Sequence, residues 1–172
     1  MRKLLTIAVL ILAVSFSNSM QAQVQYKFGH IDSNKLLSQM PQREKAKADL
    51  EKYAKQLEST LSGMQTEFER KYQDYIANAD SMSNLIRQTK EAELGEMQQR
   101  IQNFQQTAQQ DLAQKENELL QPIIMKARTA IEEVSQEQGF TYVFDVGTGV
   151  ILHFSDASID ILPMVKTKLG IQ

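Results

Sequence analysis

The chain has no cysteine and no tryptophan, and its 172 residues include only 3 prolines, 7 glycines and 2 histidines. Without cysteine there is no disulfide, no thiolate nucleophile, no zinc–thiolate centre and no lipid-modified cysteine. The two histidines, His30 and His153, both fall in segments of strand character and could approach each other. Lacking a clear third ligand, they read as structural side chains rather than a metal or acid–base pair. No catalytic constellation, metal site or cofactor motif is expected. Large positive charge is missing too: the formal net charge is −2, which gives no electrostatic footprint for nucleic acid. After residue 16 no apolar run approaches the roughly 20 residues needed to cross a bilayer, so stable membrane insertion is not expected.

Two cations, Arg2 and Lys3, precede an uncharged apolar run from Leu4 to Phe16, and small and polar residues follow up to Ala22. This is the pattern of a secretory signal peptide over 1–22, predicting cleavage after Ala22 and export to the periplasm. Met20 stands where a smaller residue is usual. Removing Arg2 and Lys3 leaves 17 of the 19 cations against 21 anions, so the mature chain is mildly acidic.

Between Gln42 and Gln138 the only helix-breaking residues are Gly63, Gly95 and Pro122, and Ala, Leu, Glu, Gln and Lys abound. Long helices are predicted. Leu50, Ala54, Leu57, Leu61, Met64 and Phe68 step alternately by four and three, as do Leu94, Met97, Ile101, Phe104 and Ala108. Each series is a heptad seam. Asn78 to Ser81 interrupt the pattern with turn and capping residues and predict the tip of a hairpin. Two helices joined there should face each other at positions summing to about 158. Eight apolar pairs do so, from Ala46 with Leu112 through Leu57 with Ile101 to Tyr72 with Ile86 and Ile76 with Met82. At 1.5 Å per residue the arms are roughly 52 and 60 Å long.

The remaining segments, 23–41 and 122–172, predict a small β-rich body carrying an arm of residues 42–121. Tyr26 to Ile31 alternates like a strand, Asp32 and Ser33 can cap a short helix through Leu36 and Leu37, and Pro41 closes it. Pro122 predicts a kink before the helix continues through Ile123, Ala127, Ile131 and Val134 to a stop at Gly139. Phe140–Phe144 and Val150–Phe154, with two glycines between, predict a β-hairpin. Asp160 is the expected N-cap of a last helix with Pro163 in its first turn and Gly170 at its end. The fold class is therefore α+β, mainly α. So small a body rarely buries enough to stand alone, and its strands leave open edges. Subunits are expected to join through Tyr26, Phe28, Phe140, Tyr142, Phe144, Val150, Leu152 and Phe154.

The strand and cap from Tyr26 to Leu37, the central helical hairpin, and the stretch from Gly139 through Asp145, the glycine turn and Asp160 to Gly170 together resemble the Skp (OmpH) family of periplasmic chaperones. The resemblance spans the mature chain and rests on the order of elements rather than one motif. It implies a homotrimer with a β-barrel body and three helical tentacles, holding unfolded outer-membrane proteins without ATP. Some members are strongly basic; the acidity of this mature chain argues against lipopolysaccharide binding and weakens steering of acidic clients.

Client contact is expected where apolar side chains gather beyond the seam: Tyr53, Tyr75 and Leu85 first, with Met64, Phe68, Tyr72, Ile76, Met82 and Ile86 nearby. For Tyr72, Ile76, Met82 and Ile86, closing the hairpin is an equally good account. Gly63 and Gly95, at the same height on the two arms, are hinge candidates together with Pro122. The rival reading is a structural or docking coiled-coil hairpin of the cell envelope, which would bind one folded partner stoichiometrically.

Overall fold

A computed structural model describes residues 26–171. The expected signal segment, and with it the cleavage site, lies outside the described residues. The elements run β1 (Phe28–Ile31), α1 (Ser33–Gln39), α2 (Pro41–Asn78), a 3-10 turn (Ala79–Ser81), α3 (Asn84–Glu137), β2 (Tyr142–Asp145), β3 (Ile159–Asp160) and α4 (Leu162–Leu169). The α+β class with long helices is as predicted.

Local chemistry sets most boundaries. Asp32 accepts a hydrogen bond from Lys35 N at 2.9 Å and caps α1. Pro41 starts α2 where its missing N–H costs nothing. Gly139 and Gly170 follow α3 and α4 with φ of 66° and 68°, the left-handed conformation that releases a helix end. One expectation is corrected. The N-cap of α3 is Ser83, whose Oγ accepts from Ile86 N, not Asp80 or Ser81, because Ala79–Ser81 are used by the 3-10 turn. As expected, the helix continues past Pro122: α3 runs unbroken from Asn84 to Glu137, and the proline is solvent-exposed, so the carbonyl it leaves unpaired can meet water.

The sheet has the order β2-β1-β3 with every pairing parallel: Phe28 opposite Tyr142, Ile31 opposite Asp145, and His30 opposite Asp160. Parallel neighbours need a long crossover, and between β1 and β2 the whole helical arm supplies it. The expected antiparallel hairpin is therefore absent. Val150–Phe154 forms no strand; it passes over the sheet, where Phe154 lies 4.0 Å from the His30 ring, centroid to centroid. One edge of β1 is taken by β2 and the other by β3, so this apolar segment finds no edge of β1 to pair with. Asp160 sits in β3 and reaches past Ile161 to accept from Leu162 N at 2.9 Å, doing the work of a cap from outside the cap position.

The core lies between one face of the sheet and the base of the arm. Ile31, Leu36, Met40, Ile161 and Val165 are fully buried there, packed with Ala46 of α2 and with Ile123, Ala127, Ala130 and Val134 of α3. The α3 residues repeat at four, three and four, so the seam of the arm continues directly into the core of the body. Lys168 fastens α4 to α3 through Glu133 at 3.1 Å and Glu137 at 2.6 Å.

Candidate functional site

Two surfaces stand apart from the core: the arm and the uncovered face of the sheet. Along the arm the heptad residues turn inward. Leu94 and Met97 are buried, and Leu50, Ala54, Leu57, Leu61, Met64, Phe68, Ile101, Phe104 and Ala108 are half-buried.

Polar ties cross between the helices. Tyr53 OH donates to Asp111, Lys71 Nζ donates to Glu93, and Tyr75 OH donates to Glu91 at 2.5 Å. Lys115 Nζ lies 5.9 Å from the Tyr53 ring. These bonds have electrostatic consequences: the hydrogen bond from Lys71 holds Glu93 below its usual pKa, the same bond raises Lys71, and donation to Asp111 and Glu91 raises Tyr53 and Tyr75.

The tied pairs sum to 164, 164 and 166, not 158. The return helix is thus displaced by about two turns from the expected register. The turn and cap occupy Ala79–Ser83, which moves the centre of the hairpin beyond residue 79.

The displacement re-sorts the expected client-contact residues. Tyr53 and Tyr75 are half-buried and committed to the other arm. Tyr72, Ile76 and Ile86, expected as partners closing the hairpin, are instead about half exposed, and Leu85 is 75% exposed; Met82 is half-buried in the turn. Phe68 stacks on Tyr72 at 6.0 Å between centroids, which carries the apolar surface from the seam out to solvent. Gly63 and Gly95 are exposed, with nothing within 4 Å of a Cβ built on either.

On the uncovered face of the sheet, Phe28, Tyr142 and Phe144 form a triangle of rings with centroids 6.1 to 6.3 Å apart, and Tyr26 adds a fourth ring 6.4 Å from Phe28. All four are exposed, as are Val150, Leu152 and Phe154 of the overlying segment. Phe140 departs from this group. It packs on the core face against Gly29, where an added Cβ would stand 3.0 Å from its ring carbons, and Lys27 Nζ lies 4.3 Å from its centroid. His30 and His153 line one hollow on the open face, and His30 Nδ1 is 2.9 Å from Ser158 Oγ.

Sequence reasoning missed the bonds that Ser33 N and Oγ donate to the Asp145 carboxylate, because a turn aspartate carries no mark of a partner 112 residues away. Among the described residues no group of three or more His, Asp or Glu side chains is placed to hold a metal, and no helix is long and apolar enough to cross a membrane.

The sequence profile of the family described as outer membrane protein (OmpH-like) matches residues 27–169. The chain belongs to the OmpH-like family. Among OmpH-like relatives, the protein named chaperone protein Skp of Pectobacterium atrosepticum is 25% identical over 167 residues, covering 96% of this chain and all of the relative. Skp of Photorhabdus laumondii is 28% identical over 145 residues, covering 84% and 87%. A crystal structure of an OmpH-like protein from Caulobacter crescentus shares the fold, with a TM-score of 0.73 over 85% of each chain at 17% identity.

Proposed function

We propose that this OmpH-like protein is a periplasmic holdase that binds unfolded outer-membrane proteins between helical arms, without ATP, and keeps them from aggregating. The observation that carries the reading is the joining of a long, sparsely apolar arm to a body whose sheet leaves four aromatic rings uncovered. Such a face needs cover, and copies of the same chain supply it; assembly as a homotrimer then gathers three arms around a shared cavity. The names of the Skp relatives support a chaperone rather than an enzyme, and the signal-peptide pattern of residues 1–22 supports the periplasm. Client contact falls to the exposed residues near the tip, Tyr72, Ile76, Leu85 and Ile86, where adaptable apolar surface meets water without forming one deep pocket.

The test dilutes urea-unfolded β-barrel proteins of different sequence into buffer with and without the purified mature chain and follows light scattering, with native mass spectrometry of the mixtures. Suppression for several clients without nucleotide, and one client per three chains, is expected. Tight stoichiometric capture of a single folded envelope protein, with no suppression, would favour the docking-hairpin alternative.

A further inference from the structure

The middle of α3 carries eight glutamines between Gln98 and Gln114 and only two charged residues, Arg100 and Asp111. Four of the glutamines, Gln98, Gln102, Gln105 and Gln109, step by four, three and four. Each directly follows a seam residue, Met97, Ile101, Phe104 or Ala108. One residue is about 100° of helical rotation, so the four side chains form a single row along one flank of the seam. Glu93 and Asp111, which make ties to the other arm, each directly precede a seam position and so lie on the opposite flank. All four glutamines are exposed.

Its amides are also uncommitted. Within the arm, Gln99 donates to Asn103 and Gln114 to Glu118, but none of the four row residues has a hydrogen-bond partner among the described residues. Nor does a greasier surface compete with it: no large apolar side chain of α3 is exposed between Ile86 and Ile124. What this stretch offers is a column of neutral primary amides, each with two donor hydrogens and a carbonyl acceptor.

That chemistry selects its partner. A row without charge gives phosphate groups or nucleic acid no counter-charge, and one without apolar surface gives an amphipathic helix nothing to bury. A folded protein has already paired its own peptide groups, whereas an unfolded chain still presents free N–H and C=O groups. The glutamine amide is a chemical copy of that peptide group and can bond to both halves of it. Each such bond replaces bonds to water with little net gain, so contacts are weak, numerous and indifferent to sequence.

We propose that the row Gln98, Gln102, Gln105 and Gln109 is a client surface that takes the free peptide groups of unfolded chains through side-chain amide hydrogen bonds. This rests on the holdase reading and assigns the middle of the arm, distinct from the apolar tip.

The test uses the intact assembly and a fluorescently labelled β-barrel protein diluted from urea. Two quadruple variants replace all four residues, one with alanine, which favours helix, and one with methionine, which keeps length and bulk but cannot donate. A control replaces Gln99, Gln106 and Gln110, off the row, with alanine. Both quadruple variants should retain native mass and helicity and bind the client roughly tenfold more weakly, with the control unchanged. Wild-type affinity in either quadruple variant, or an equal loss in the control, overturns the row while leaving the holdase reading intact. Absence of client binding by the unmodified protein overturns both.

Discussion

The Ser33 hydroxyl donates to Asp145 Oδ2 at 2.5 Å, joining the first turn of α1 to the end of β2 across the whole length of the arm. Asp145 Oδ1 accepts from Ser33 N at 3.1 Å and from Gly147 N at 2.9 Å, so one carboxylate fixes both chain segments. Gly147 fits because it has no side chain: a Cβ there would meet Asp32 Oδ1 at 2.5 Å. Replacing Asp145 by alanine leaves two N–H donors and a hydroxyl without this acceptor and should cost about 1–3 kcal/mol. Thermal unfolding followed by circular dichroism should show a clearly lower Tm, with a smaller loss for Asp145→Asn.

Leu152 is 94% exposed in the single chain. Leu152→Glu should therefore leave the helical content and fold of one subunit unchanged. If the open sheet face is where copies meet, the same change places an unpaired charge in that interface. Native mass spectrometry should then shift from trimer to monomer; a trimer that survives the charge removes Leu152 from the interface.

Gly63 and Gly95 have open space around them, so alanine fits at both without a clash. Each replacement should favour helix by about 1 kcal/mol. If these positions let the arms bend, spin-label distances between tips of an assembly should be more narrowly distributed in Gly63→Ala/Gly95→Ala than in the parent. Identical distributions would make both glycines neutral surface residues.

The ties across the arm set a pH window. Glu93 is held below its usual 4.5, so its contribution is present above that value and fades as pH falls through the lower folded pKa. Lys71, Tyr53 and Tyr75 are raised above 10.5, 10.0 and 10.0, so their contributions are complete below those values and fade as pH rises through the folded pKa. All four are only half-buried, with water still reaching them, which keeps the effect small and salt-sensitive. Labels placed across the two helices should report a close, narrow distance between about pH 5 and 9.5, with loosening on either side. Replacing both tyrosines by phenylalanine should remove their part of the alkaline step, leaving any change due to Lys71.

How far the arm could be read is clearest near Phe68. Continuing the seam by three and four residues leads to Lys71 and Tyr75, whereas pairing about residue 79 selects Tyr72 and Ile76 as partners of Ile86 and Met82. The structure keeps Lys71 in place by pairing it with Glu93, and Tyr72 and Ile76 turn to solvent. A pairing partner 22 residues away along the chain is not written in local periodicity.

The amino-acid sequence by itself determined the two long helices, the seams from Leu50 to Phe68 and from Leu94 to Ala108 that turn inward, and the stops at Gly139 and Gly170, because heptad spacing and glycine act within a few residues of chain. Only the tertiary structure decided how far the helices slide, the parallel order of the sheet and the course of Val150–Phe154. A heptad seam repeats every three or four residues, so a slide of one turn lays seam on seam again, and an apolar run records that it will be buried without recording which edge or face will bury it. Those choices belong to the length of the turn at Ala79–Ser83 and to the edges of β1 that β2 and β3 occupy.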